Sequence, residues 1–329
     1  MAFSADVLAI DENQELTRLQ AWIRDTVFRV LRRRGVVVGL SGGIDSSVTV
    51  TLCRLALGAK RVLGLLMPDG ESATESVTLA RDVALFNNIE TYVEDIAQIC
   101  AASHAYERRD RCFRQVIPEY GEGWTSKIVL PKVTDGNAYR VFYVVAQSPS
   151  GDITKKRLPA QAYLGVVAAS NFKQRIRKMM EYHHADRRVF AVAGTPNRLE
   201  YDQGFFVKGG DGVADFKPIA HLYKTQVYAL ARHLKLPEKV ITRPPTTDTY
   251  SMPQGQDEFY FSLPYAQMDL VLYGKNHGVP ACEIAQAVGL TTAQIDRICR
   301  DIDAKRRATR YLHLAPQIVD DIPELDFSR

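Results

Sequence analysis

The passage from residue 36 to residue 57 constrains this 329-residue chain more than any other. Residues 36–40 (Val-Val-Val-Gly-Leu) form an unbroken apolar run, which suits a strand covered on both faces. Ser41-Gly42-Gly43 follows at once, and residues 45–57 then carry apolar side chains at helical spacing. A strand, a glycine turn and a helix make half of a βαβ unit, and the unit recurs. Residues 62–67 read as a second strand, 71–86 as a helix and 91–93 as a short third strand. A fourth strand at 189–194 follows a helical stretch at 171–184, and 223–234 is a further helix. This alternation predicts an α/β fold with a doubly wound, mostly parallel sheet, whose ligands lie at the carboxyl ends of the strands.

Three other regions complete the plan. Over residues 8–33, Leu16, Leu19, Trp22, Ile23, Val27, Val30 and Leu31 recur every three or four positions, so an amphipathic helix should cover one face or edge of the sheet. Residues 101–165 break the rhythm. Segments 128–133 and 139–146 are rich in β-branched and aromatic residues, and Ser148-Pro149-Ser150-Gly151-Asp152 is a turn signal, which predicts an inserted β-hairpin with Trp124, Tyr139, Phe142 and Tyr143 as its small core. Residues 242–264 hold Pro244, Pro245, Pro253, Gly255 and Pro264 with little periodicity, a long loop whose part at 246–262 is a candidate lid. Short helices at 265–273, 281–288 and 293–304 make a C-terminal helical extension over 264–329. The chain is read as one domain over 1–329, with an insertion at about 101–165.

Composition excludes several classes. Lys and Arg total 42 against 38 Asp and Glu, and a net charge of +4 so dispersed does not imply a nucleic-acid partner. Five cysteines, odd in number and without CxxC spacing, argue against a disulfide framework and a zinc site, and favour a reducing compartment. The opening residues lack a signal-peptide run and no segment approaches a membrane span, so the expected location is cytoplasmic. Adjacent His183 and His184 point different ways on a helix and read as ordinary histidines rather than ligands.

The chemistry is concentrated at Ser41-Gly42-Gly43-Ile44-Asp45-Ser46-Ser47. At a strand-to-helix junction, free N–H groups and the helix dipole favour a phosphate, glycine lets the backbone close on it, and serine hydroxyls add donors. No GxxxxGK[ST] is present, so the loop suits a leaving pyrophosphate rather than γ-phosphate transfer. An isolated SGG would be a turn and helix cap. The complete S-G-G-x-D-S spacing after an apolar strand resembles the N-type ATP pyrophosphatases, in which the loop cradles pyrophosphate and the Asp matching Asp45 helps hold Mg²⁺.

The second half of the chain is similar to the ammonia-dependent NAD synthetase family. The resemblance rests on Gly194-Thr195, Glu200, Gly204-Phe205-Phe206-Val207-Lys208, Gly210-Asp211-Gly212, Ala214-Asp215, Pro218-Ile219, Leu222-Tyr223-Lys224-Thr225 and Arg243-Pro244-Pro245-Thr246-Thr247-Asp248. Asn171, Arg175 and Arg177 on their helix belong to it too. It implies a Rossmann-like adenine nucleotide alpha hydrolase fold, with ATP held by Ser41, Gly42, Gly43, Asp45, Ser46, Ser47, Met67, Thr195, Lys224 and Thr246. It implies Mg²⁺ at Asp45 and Glu200, catalytic roles for Asp45 and Lys224, and deamido-NAD held by Asn171, Arg175, Arg177, Lys208, Asp215 and Lys305. Arg175 and Arg177 lie two apart on a helix, so one of them is expected to reach the ligand. Asp211 between glycines reads as a turn residue.

The reaction so implied is attack of the nicotinate carboxylate of deamido-NAD on the α-phosphate of ATP, followed by displacement of AMP by ammonia. A homodimer is also implied. No glutaminase domain fits ahead of the nucleotide loop, so ammonia is expected to arrive free or from a separate glutaminase. Three departures from the family pattern bear on the acid: the inserted hairpin, Asp257-Glu258-Phe259-Tyr260-Phe261 in place of an acidic Leu-Gly lid, and Ala304-Lys305 in place of a His-Lys pair. The alternatives are an amide synthetase for another carboxylate and a noncatalytic adenine-nucleotide-binding protein. The latter should have lost Asp45, Lys224 or Glu200, and all three are present.

Overall fold

Val36, Val37 and Val38 are wholly shielded from solvent, as a strand sandwiched between two helical layers requires. They form β1 (Val36–Gly39), which pairs in parallel with β2 (Val62–Leu66) on one side and with β7 (Ala191–Ala193) on the other. β3 (Glu90–Val93) adds to β2 in parallel, giving the order β3-β2-β1-β7. The computed structural model describes residues 2–72, 74–130, 142–245, 250–252, 254–255, 260–261, 263–320 and 322.

Alternation along the strands sends side chains to two cores. Val36, Val38, Val62 and Leu66 face one side, against α1 (Glu12–Asp25), α2 (Ile44–Leu57), α3 (Thr74–Asn87) and α8 (Lys224–His233). Val37, Leu63, Leu65 and Val192 face the other, against α4 (Ala97–Ala102) and α6 (Ala160–Arg188). The sheet is therefore doubly wound. The amphipathic stretch expected at the start of the chain is α1 followed by a π-helical turn at Thr26–Val30, and its Leu19, Ile23 and Val27 pack into the first core.

The insertion holds more than a hairpin. β4 (Thr125–Val129) and β5 (Tyr143–Gln147) pair antiparallel, but β5 also pairs with β6 (Ile153–Arg157) across the Ser148–Asp152 turn. The expectation missed β6 because Ile153-Thr154-Lys155-Lys156-Arg157 is mostly exposed and polar, as an edge strand can be. It also missed α5 (Ala105–Arg114), whose four arginines conceal an amphipathic pattern that buries Ala105, Arg109 and Phe113. Tyr139 lies outside the described residues. Trp124 packs on Tyr120, and Phe142 stacks on Tyr163 of α6 with ring centroids 3.5 Å apart.

α6 runs far beyond the expected 171–184. Its first turns carry Gly165, where an added Cβ would lie 2.5 Å from Cys112 Sγ, so glycine admits the close approach of α5. Short α7 (Arg198–Gln203) and α9 (Glu238–Thr242) flank α8. α10 (Tyr265–Asn276), α11 (Ala281–Val288) and α12 (Thr292–His313) share a separate core with Leu8, Leu199 and Phe261. His184 Nε2 lies 2.6 Å from Glu94 Oε1, an ordinary structural pair in which the carboxylate accepts. All five cysteines are free thiols, and no helix among the described residues is long and apolar enough to cross a membrane.

Ile23 is fully buried between α1 and the first core. Ile23→Ala should destabilise the protein by about 2–5 kcal/mol, read as a lower urea midpoint with an unchanged slope.

Candidate active site

The strand order reverses between β1 and β7, and the loops leaving both strands open into a cavity of about 530 Å³. Gly42 sits there at φ +75°, and a Cβ on it would fall 2.5 Å from the Ser76 carbonyl oxygen, so both backbone and space require glycine. The first intrahelical bond into α2 is Ser47 N–H to Gly43 O at 3.1 Å, which leaves the N–H groups of Ile44, Asp45 and Ser46 at the helix start without helical acceptors. That end faces the cavity. Ser46 Oγ donates to Gly43 O at 3.0 Å and lies 3.2 Å from Ser41 Oγ, so the two hydroxyls brace the loop. Ser47 is fully buried and its hydroxyl returns to Gly43 O, so it shapes the turn from behind.

Asp45, in the first turn of α2, is met by residues from two other elements. The Lys224 ammonium at the start of α8 pairs with Asp45 Oδ2, and Asn197 Nδ2 donates to Oδ1 at 3.1 Å. Asn197 also caps α7, and its own N–H donates in return to Glu200 Oε2, a capping box. Glu200 is thereby fixed on the cavity wall beside Asp45. Burial, reinforced by the Asp45 charge, pushes the Glu200 carboxyl up to about 8. Burial alone would lower Lys224, but Asp45 and Glu200 reverse it and hold the ammonium above its ordinary value.

Asp269 of α10 completes this corner. It accepts the N–H groups of Thr225 at 2.7 Å and Lys224 at 3.3 Å, capping α8 from a distant element. Burial raises its carboxyl to about 6. The sequence reading missed it, although an acid inside the apolar run Met268-Asp269-Leu270-Val271-Leu272 was a visible signal.

A second wall comes from α6. Arg175 and Arg177 both line the cavity. At about 100° per residue they flank opposite margins of a stripe centred on Gln174, Lys178 and Glu181, and long side chains reach in from both sides. Arg175 Nε donates to Lys208 O at 3.2 Å, and Arg177 Nε to Met67 O at 3.1 Å. Lys178 and Glu181 form a buried pair at 2.5 Å that the sequence reading did not single out, and burial raises the Glu181 carboxyl. Asp211 does make a turn, accepting Val207 N–H at 2.7 Å, but it also lies on the cavity wall, with its carboxyl raised by burial.

The loop after β2 is held by a balanced charge array. Arg109 of α5 grips both oxygens of Glu71 at 2.7 Å, Lys173 bridges Glu71 at 2.6 Å and Asp69 at 3.1 Å, and Arg177 reaches Asp69 at 3.3 Å. Burial pushes Asp69 up, yet Lys173 and Arg177 outweigh it and leave the carboxyl below its usual range.

Ser41, Gly43, Asp45, Ser46, Met67, Thr195, Glu200, Lys224, Asn171, Arg175, Arg177 and Lys208 all line the one cavity. Asp215 does not: it accepts Val192 N–H at 2.7 Å and Tyr182 OH at 3.2 Å, tying β7 to α6. Nor does Lys305, which is buried against Tyr260 O at 2.7 Å, Gln203 at 3.1 Å and Asp301 at 2.9 Å. Within one chain both act behind the wall. Ala304 faces outward. Thr246 and most of the candidate lid, 246–262, lie outside the described residues.

An anion-ready helix start, paired carboxylates and a buried lysine at the switch point of a parallel sheet define a nucleotide-binding α/β class of protein. Comparison with known proteins narrows this. The NAD synthase family model matches residues 15–116 and 149–309. An NH(3)-dependent NAD(+) synthetase of Rhizobium meliloti (strain 1021) is 56% identical over 326 residues, covering 99% of this chain and 97% of that protein. An NMN synthetase structure from Francisella tularensis superposes with a TM-score of 0.65 at 22% identity, over 94% of this chain and all of that one. The NH3-dependent NAD synthetase of Campylobacter jejuni gives 0.62 at 23%, over 95% and 100%. The chain belongs to the NAD synthase family.

Two outcomes follow from this geometry. Arg109→Met should destabilise the protein by about 1.5–3 kcal/mol, because it removes charge-assisted bonds to Glu71 and leaves that carboxylate to Lys173 alone, measured by chemical denaturation. For Asp269 the folded-state pKa is raised, so its contribution to stability is present at low pH and is lost as pH rises from about 4 through about 6. The stability of wild type relative to Asp269→Asn should accordingly decline over that interval.

Proposed function

We propose that the chain is a ligase that converts deamido-NAD to NAD with ATP and ammonia, releasing AMP and pyrophosphate. The observation that carries this reading is the meeting of the α2 start, Asp45, Glu200 and Lys224 on one cavity wall opposite Arg175 and Arg177. A full-length relative named for this activity supports it.

In the first step a carboxylate oxygen of the substrate attacks the α-phosphorus, and the bond to the β-phosphate bridge breaks. The N–H groups at the α2 start and the Ser41 and Ser46 hydroxyls receive the departing pyrophosphate, while Lys224 offsets its charge. Met67 and Thr195 contact the nucleotide, and Thr246 completes that set. Asn171, Arg175, Arg177 and Lys208 orient the dinucleotide, whose phosphates suit guanidinium donors. In the second step ammonia forms the C–N bond, the acyl–oxygen bond to AMP breaks, and the nitrogen loses a proton. The walls exclude water from the acyl-adenylate.

Burial and the Asp45 charge push the Glu200 carboxyl up to about 8, and a hard divalent cation at Asp45 and Glu200 would offset both and favour the ionised carboxylate. Asp45 and Glu200, together with nucleotide phosphates, would hold Mg²⁺ on this cavity wall. When bound, Mg²⁺ neutralises phosphate charge. We further read the chain as a single catalytic domain over 1–329, a homodimer, and a cytoplasmic protein, the last supported by five free thiols. Ammonia arrives free or from a separate glutaminase.

Purified protein with ATP, Mg²⁺, ammonium and deamido-NAD should form AMP, pyrophosphate and NAD in matched amounts. ATP binding without any of the three products would point to another acid or to a noncatalytic binder. Asp45→Ala should lower pyrophosphate release by about 100-fold or more, and wild-type turnover in that variant would refute its role.

A further inference from the structure

The family model matches nothing between residues 116 and 149, the stretch that supplies β4 and all of β5. Ser251, Met252 and Gln254 bond to that sheet. Met252 N–H donates to Ser126 O at 3.1 Å, Ser126 N–H donates to Ser251 Oγ at 2.9 Å, and the Gln254 side-chain amide donates to Ile128 O. All of these contacts fall on β4, so Ser251, Met252 and Gln254 bond along it. The anchor is internal: Ser126 is fully buried, Gln254 is 2% exposed, and Ser126 Oγ is held in turn by Tyr120 OH at 2.9 Å.

Tyr250 stands at the head of this strap. It is 5% exposed and packs in the insertion's own core with Phe113, Ile128 and Val166, yet one surface of it lines the nucleotide cavity beside Tyr163 and Ser170. Tyr163 is itself backed by Phe142 of the insertion. A segment outside the family pattern thus braces one wall of the site.

We infer that the inserted sheet acts as an anchor for the strap Tyr250, Ser251, Met252 and Gln254, which holds the Tyr250 ring in the cavity wall and keeps water from the acyl-adenylate. The inference rests on the proposed function. The step it suppresses is attack of a water oxygen on the acyl carbon, with cleavage of the acyl–oxygen bond, loss of a proton, and return of AMP and the free carboxylate. ATP would then be consumed without amide. Tyr250 and the strap are positioning elements, because neither supplies a group to the reacting atoms. Their loss should change the partition of the intermediate rather than its formation.

The test is the ratio of AMP to NAD formed by the intact protein with ATP, Mg²⁺, deamido-NAD and subsaturating ammonium. Wild type should give a ratio near one. Tyr250→Ala, Ser251→Ala and Gln254→Ala should each raise it severalfold while AMP formation continues, and Tyr250→Phe, which keeps the ring, should restore it. The serine and glutamine variants remove anchoring bonds without altering the cavity lining, so a folding failure of Tyr250→Ala does not end the experiment. Matched products in wild type and in the folded strap variants would overturn the inference while leaving the functional reading intact. Leakage in Tyr250→Phe equal to that in Tyr250→Ala would overturn it as well. A wild type that makes no NAD would overturn both.

Discussion

A lysine that is 1% exposed can keep its charge only among carboxylates, and the candidate site is organised around that requirement. Lys224 pairs with Asp45 and feels Glu200, and each of the three enters from a different element. Asp45 comes from the start of α2, Glu200 from a capping box on α7, and Lys224 from the start of α8, which Asp269 of α10 caps. The same few bonds therefore hold the sheet's carboxyl edge to the C-terminal helices. They also place two carboxyl groups where a cation and phosphates would meet.

The opposite wall obeys the same rule of charge balance. Asp69, Glu71, Asp110, Arg109, Lys173 and Arg177 form a nearly closed array between α5, α6 and the loop after β2. Arg177 reaches this array with one nitrogen and Met67 O with another, so the loop and the cavity wall are set together. α6 is long enough to take part in the insertion's core at its start, the charge array in its middle and the second sheet core towards its end. Its length is what lets an inserted sheet bear on a site formed by the α/β frame.

The parallel frame was legible because its cause is local. Apolar runs at residues 36–40 and 62–67, each followed by a turn and an amphipathic stretch, leave little choice but buried parallel strands. The loop at Ser41–Ser46 was legible for a similar reason, since glycine at φ +75° and serines at the helix start are required by the turn itself. What escaped was governed by distant partners. Polar β6 is a strand only because β5 offers it an edge, and the arginine-rich α5 is a helix whose Arg109 is buried only because Glu71 meets it. Asp215 and Lys305 match the family pattern, yet their hydrogen bonds commit them to Val192, Tyr182, Tyr260 and Gln203 behind the wall.

The sequence by itself determined the βαβ alternation, the anion-ready turn and the residue types from which a nucleotide site is built, because backbone sterics and hydrophobic period act over a few residues. Only the tertiary structure decided which charges meet. It brought Lys224 to Asp45 across 179 positions of chain, set Glu200 beside them, and seated Tyr250 against an inserted sheet whose β4 lies 125 positions earlier at the Ser126–Ser251 bond. Ion pairing and burial depend on separation in space, and separation in space is fixed by packing that no local pattern encodes.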